Sequence, residues 1–276
     1  MTEIQKKGTV IYFVPVDKKY FSKWEYYQVD REMLRECFSK IIVCHDTWSC
    51  IKALTFSGVD AVYCWWWHRS APCVLISRLL GLPVYVTGAV HMYDESGAQD
   101  FSSKGFLYRA ACRLAWQFAS ANLFISKSQF RQICSHEKVN NAHLLRSSLP
   151  KSFDIRQSTK AAGDHCTKER SINRKISFLT IVWMTREQLK RKSVYETLGA
   201  LKLLSERGIT DFEWTIAGGD SDGREELSRK VAELGLEPYV KIVCDVSQEE
   251  KVLLYKNADL YVQPSYYEGF GNAVLE

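Results

Sequence analysis

The chain has 276 residues, of which 46% are hydrophobic and 25% charged, with a formal net charge of +5. This is ordinary globular composition, enough for one large or two average domains, with no run near the ~20 apolar residues of a membrane span and no apolar signal segment in the polar opening MTEIQKKGTV. Residues 151–175 hold seven basic and three acidic residues, so the excess sits in one Ser/Lys-rich stretch that reads as a solvated linker and argues against a nucleic-acid partner.

In chain order, TVIYFVPV (9–16) predicts a strand, and DREMLRECF (30–38) a helix opening on an Asp cap. IIVCHD (41–46) is the next strand, followed by the helix TWSCIKALTF. DAVYCWWW (60–67) is a strand, and the helix APCVLISRLL stops at Gly81 with Pro83 beyond. PVYVTGAV (83–90) is a strand, and KGFLYRAACRLAWQFAS (104–120) a helix. That helix reads as an ordinary core helix of an α/β layer. Lys104, Arg109 and Arg113 beside Phe106, Leu107, Leu114 and Phe118 make a membrane-surface helix the alternative. ANLFIS (121–126) and AHLLRSSL (142–149) complete the first set, with Ser126 and Gln129 spaced as a capping box.

The alternation lapses after Pro150 and restarts at 176. Strands at 176–184, 212–219, 240–246 and 259–265 alternate with helices at 193–208, 222–235 and 247–258. Ser193/Glu196, Ser247/Glu250 and Asp222/Glu225 match cap spacings. The expected fold is α/β: a domain over 1–150, a basic linker over 151–175 and a second domain over 176–276. Two such domains leave a cleft, and in open parallel sheets ligands sit beyond the carboxyl ends of the strands.

The nine cysteines show no CxxC and no metal-ligand spacing, and most lie in apolar runs. Reduced buried thiols and no metal are the expectation. The second domain's strand ends carry Arg186, the basic Lys190-Arg191-Lys192, Gly218-Gly219-Asp220, and Asp245-Val246. Cations, close backbone approach at glycine and helix N-termini favour a phosphate-bearing ligand. Neither GxGxxG nor a Walker loop is present. In isolation LKRK reads as a solvated face and Gly-Gly as a turn. WWWHRS (65–70) reads as core packing, or as a wall on which a sugar stacks beside His68 and Arg69.

The stretch PSYYEGFGNAVLE (264–276) sets Glu268 and Glu276 eight residues apart around Gly269 and Gly271. It resembles the E-x7-E motif of glycosyltransferase family 4, retaining enzymes with two Rossmann-like domains, the GT-B fold. YKNADLYVQPS resembles that family's lead-in to the motif, and Arg186 and Lys192 have its arginine–lysine spacing. The resemblance is close over 176–276 and looser before it. It implies that Glu268 contacts the donor sugar and Glu276 the ribose diol. It further implies that Arg186 and Lys192 grip the diphosphate, that His91 faces the sugar, and that Gly218, Gly219, Val246, Gly269, Phe270, Gly271 and Asn272 line the nucleotide. The family's glycine-rich loop after the first strand is replaced by PVDKKYFSKWEYYQVD, which shifts acceptor recognition to Lys23, Trp24, Tyr26 or Tyr27. The family also continues beyond the motif, so the second domain reads as incomplete, with Glu276 poorly fixed.

The resemblance implies a cytoplasmic hexosyltransferase that uses a nucleoside diphosphate sugar and a saccharide or lipid-linked acceptor. No cofactor or metal is expected, and peripheral contact with the inner face of the membrane is an additional expectation. The alternatives are an inactive nucleotide-sugar-binding fragment, or another GT-B activity such as a nucleotide-sugar epimerase.

Overall fold

The computed structural model describes residues 8–18, 21, 25–88, 101–145, 174–266, 268 and 271–275. The chain divides into two units, Met1–Asp154 and Ile155–Glu276. In the first, β1 (Thr9–Phe13), α1 (Glu25–Cys37), β2 (Lys40–Cys44), α2 (Thr47–Phe56) and β3 (Ala61–Trp65) lead into α3 (Trp67–Leu79). β4 (Val84–Gly88), α4 (Phe106–Phe118), β5 (Ala121–Phe124), α5 (Lys127–His136) and β6 (Ala142–Leu144) follow. The sheet is parallel, in the order β2-β1-β3-β4-β5-β6.

Alternation along β1 sorts the core into two layers. Ile11 and Phe13 join residues of α2, α3, α4 and α5 on one face. Val10 and Tyr12 join Phe21, Tyr27 and Leu34 on the other. Only α1 leads leftward in this order, from β1 to β2, so right-handed crossovers place the four later helices together on the opposite face. The buried Asn122 is fully used: it accepts from Trp67 Nε1 (2.8 Å) and donates to the carbonyls of Trp116 (2.9 Å) and Asn140 (2.7 Å).

The second unit runs β7 (Ile176–Ile181), α6 (Arg186–Arg191), α7 (Val194–Glu206), β8 (Phe212–Gly218) and α8 (Arg224–Glu233). It continues with β9 (Val240–Cys244), α9 (Gln248–Asn257), β10 (Leu260–Tyr261) and α10 (Asn272–Leu275). Its parallel sheet has the order β10-β7-β8-β9. The core gathers Met184, Leu189, Leu198, Trp214, Ile216 and Leu227. Thr180 Oγ1 accepts from Trp214 Nε1 (3.0 Å) and donates to Val262 O (2.5 Å), tying three neighbouring strands together. α9 buries no residue, and its Leu253 is over half exposed.

Several local expectations are corrected. α1 begins at Glu25, so Asp30 is interior to a helix and accepts a bond from Trp65 Nε1 (2.7 Å) instead of capping. Ser193 sits in the left-handed region (φ 54) with no side-chain cap bond, so the Ser193/Glu196 box does not form. α8 starts at Gly223 without a side-chain cap. The Ser247/Glu250 box does form, because Ser247 is extended and both reciprocal bonds are made. Cys44, Cys64, Cys73 and Cys112 are buried as expected, but Cys134 is exposed. The linker reading over 151–175 lies outside the described residues except at 174 and 175.

Candidate active site

Both neighbours of β7 matter for the second unit. The chain passes from β7 through β8 to β9, then crosses back to place β10 on the opposite side of β7. Such a reversal opens a crevice at the carboxyl ends of the two strands. Lys192 and Glu268 are both found there.

Lys192 follows α6, whose N-cap Thr185 accepts from Gln188 N (3.1 Å). The left-handed Ser193 turns the chain directly into α7. Lys192 Nζ donates to Ile181 O, the last carbonyl of β7 (2.8 Å), and to Gln263 Oε1 beyond β10 (3.0 Å). Gln263 Nε2 donates to Glu268 Oε1 (2.8 Å), and Ser265 Oγ donates to the same oxygen (3.0 Å). The other carboxylate oxygen meets Arg191 Nη1 at 3.0 Å, with the two side chains 14% and 27% exposed. Gln188 Oε1 holds the same guanidinium (Nη2 at 2.6 Å), and Tyr261 OH donates to Gln263 Oε1 (2.6 Å). Glu268 is thus fixed by an amide, a hydroxyl and a guanidinium, in a charge-assisted network.

Arg186, expected beside Lys192, takes a different partner. Its Nε lies 3.2 Å from Glu226 Oε2 on α8, with Arg186 68% exposed. The guanidinium next to Glu268 belongs to Arg191, which the arginine–lysine spacing did not single out. Gln263 was also missed, because its pairing with Lys192 spans 71 residues and depends on the crossover.

Gly218 and Gly219 end β8 for a packing reason. A Cβ on Gly218 (φ +153) would lie 1.9 Å from Val182 O. One on Gly219 would lie 3.2 Å from the ring of Trp183, which stays 36% exposed. Gly218 O accepts from Asp245 N (2.7 Å), which draws Asp245 (φ 52) and the half-buried Val246 in beside the same turn. Gly271 (φ +75) precedes the four-residue α10, which begins at Asn272. His91, Gly269, Phe270 and Glu276 lie outside the described residues, as do Lys23 and Trp24.

At the carboxyl ends of the first sheet stands an aromatic wall. Tyr27 and Trp65 meet edge to face (4.9 Å between centroids), and Phe21 meets His45 likewise (4.8 Å). Trp66 Nε1 donates to Tyr27 OH (2.9 Å), and Arg69 Nη1 to Pro15 O (2.6 Å). Trp65 and Trp67 are core residues, as the packing reading expects; Trp66 is half-buried with φ 71, an uncommon backbone for a bulky residue. Burial raises the Asp30 carboxyl to about 6, against the bonds from Trp65 and Tyr63 that favour its charged form. Among the described residues no cluster of His, Cys, Asp or Glu is placed to hold a metal ion, and no helix is long and apolar enough to cross a membrane.

Residues 168–276 match the family model of glycosyl transferases, group 1. The Lys192–Glu268 network lies inside the matched residues. Solved structures extend the likeness over both units. HepE of Anabaena, in complex with UDP and glucose, is 14% identical at TM-score 0.62, covering 97% of this chain and 77% of its own. Sucrose-phosphate synthase of Thermosynechococcus elongatus is 12% identical at TM-score 0.67, with 98% and 78% covered. TarM is 14% identical at TM-score 0.61, covering 82% of this chain; the match spans only 41% of TarM. At these identities the likeness is one of fold, and that fold is GT-B. A search of curated proteins by sequence finds no match.

Proposed function

We propose that the protein is a retaining glycosyltransferase of the family 4 type. It moves a hexose-type sugar from a nucleoside diphosphate sugar to a saccharide or lipid-linked saccharide, at the inner face of a membrane. The observation that carries this reading is the meeting of Lys192 and Glu268 at the β7–β10 crevice within the residues that match the group 1 family model. HepE and the S. aureus TarM have been solved with UDP alongside saccharides, which supports a nucleotide-sugar donor.

In this proposal Lys192 and Arg186 stabilise the departing diphosphate. The Arg186–Glu226 pair is exposed and worth little, so the guanidinium is available to a phosphate. Preorganised cations of this kind act where charge develops, without a metal. Glu268 accepts from the sugar hydroxyls, with Arg191 and Gln263 positioning its carboxylate. The Gly218–Gly219 turn and Val246 line the base. Gly269, Phe270, Gly271 and Asn272 contribute around the phosphates, His91 faces the sugar, and Glu276 takes the ribose diol, two bonds to one carboxylate. The C1–phosphate bond breaks as the acceptor oxygen bonds C1 on the same face. The acceptor proton passes to the departing phosphate oxygen. The first unit supplies acceptor recognition through Tyr26, Trp66 and Asp30.

The test is turnover of a panel of UDP-, GDP- and ADP-sugars by the native chain and by Glu268→Ala. Turnover of one donor, lowered more than about a hundredfold in the variant, is expected. Equal turnover would remove Glu268 from the site. Donor binding without turnover in the native chain would favour the inactive binding module.

A further inference from the structure

A helix on the surface of an α/β unit normally turns a polar face to water. α8 does so: Leu227 and Val231 are buried, while Arg229 and Lys230 pair with Glu233 outside. α4 does not. Its inner face, Cys112, Ala115 and Trp116, is buried in the core of the first unit. Its outer face presents Phe106, Leu107, Leu114 and Phe118, exposed by 73, 81, 39 and 44%. At 100° per residue these four fall within about 120° of arc. Leu79 and Leu80, at the end of α3, are 86% and 49% exposed. The two helix ends meet, since Arg78 and Phe118 line one surface cavity of about 670 Å³.

Among the described residues around this face the charge is mostly basic, Glu137 being the exception. Residues 61–88 and 101–136, which supply α3, α4 and α5, contain seven Lys and Arg and no Asp or Glu. Arg113 is taken up by Glu137 (2.5 Å) just beyond α5. Arg78, Lys104, Lys127 and Arg131 have no ion pair among the described residues, and all but the half-buried Lys104 are exposed.

We propose that the outer face of α4, together with Leu79 and Leu80, seats in the headgroup–acyl boundary of a membrane containing anionic lipids. The apolar side chains enter the boundary and the unpaired cations meet lipid phosphates. A second copy of the chain fits less well, because a self-complementary contact sets like charges against one another. The proposal stands on the first unit alone and does not depend on the donor reading.

Vesicle flotation of the whole chain tests it, using phosphatidylcholine alone and an equal mixture with phosphatidylglycerol. Binding is expected to the mixture only, falling as salt rises. The double variant Phe106→Ser/Leu107→Ser is expected to bind at least about tenfold more weakly. Arg78→Glu and Lys104→Glu each lose about fivefold. All four positions are on the surface, and an unchanged thermal melt confirms the fold. Failure to bind the mixture, equal binding to both vesicles, or binding unaffected by the double variant would overturn the proposal. So would a dimer in solution that the double variant dissolves, with no vesicle binding. Loss of donor turnover with vesicle binding intact would count against the active site and leave this surface standing.

Discussion

In each unit the first strand lies between two parallel neighbours, β1 between β2 and β3, and β7 between β10 and β8. The carboxyl ends beside those strands carry different chemistry. In the second unit they hold Lys192, Arg191, Gln263 and Glu268 in one ionic network beside a glycine turn. In the first they hold Tyr27, Trp65 and Trp66 with Asp30, whose protonated form is favoured by burial. One scaffold thus offers a charged, close-approach surface in one case and an aromatic wall in the other. Charged groups beside a close-approach turn suit an anionic ligand, whereas in the other unit Tyr27 and Trp65 are core residues and Trp66 is half-buried.

Substitutions at glycines that end a strand in each unit sharpen that contrast. The largest effect is expected at Gly218→Ala, where the new Cβ meets Val182 O at 1.9 Å. Backbone against backbone cannot yield easily, so the second unit loses at least about 4 kcal/mol in a denaturant melt. Gly88→Ala at the end of β4 meets Trp66 N at 3.1 Å, and we expect a smaller loss, about 2 kcal/mol. Equal costs would mean the two turns are not differently constrained.

Asp30 gives an intermediate effect with a definite sign. Its carboxyl is raised from 3.8 to about 6 in the folded chain, so the native state binds the extra proton. The stabilisation is fully present below the unfolded value, near pH 4, and is lost as pH rises through about 6. The fall amounts to about 3 kcal/mol, and Asp30→Asn is expected to flatten it in thermal melts across that window. An unchanged slope would place Asp30 in a water-like setting. The smallest effect is at Trp183, whose half-open ring lies on Gly219. Trp183→Ala is expected to raise the donor KM about fivefold with kcat unchanged, read in initial rates.

The alternation of strands and amphipathic helices was legible in the sequence because every strand except β6 and β10 buries apolar residues. α6 was not: six residues, REQLKR, with only Leu189 buried show no period. The last strand shrank from 259–265 to Leu260–Tyr261 because an edge strand needs pairing on one side only. For α4 the sequence left a core helix and a membrane-surface helix as alternatives, because the helix is apolar on both sides and apolar spacing alone does not say which side meets the core. Lys192 and Glu268 were legible through the resemblance of their motifs. Arg191 and Gln263 were not, since a long-range crossover decides which cation reaches which carboxylate.

The claim that the β7–β10 crevice holds the donor diphosphate is tested most directly by calorimetric titration of the chain with UDP, GDP and ADP, alongside Lys192→Ala. One nucleotide should bind the native chain, and the variant should bind it at least about tenfold more weakly with its thermal melt unchanged. Binding of none of the three, or equal binding by the variant, would contradict it.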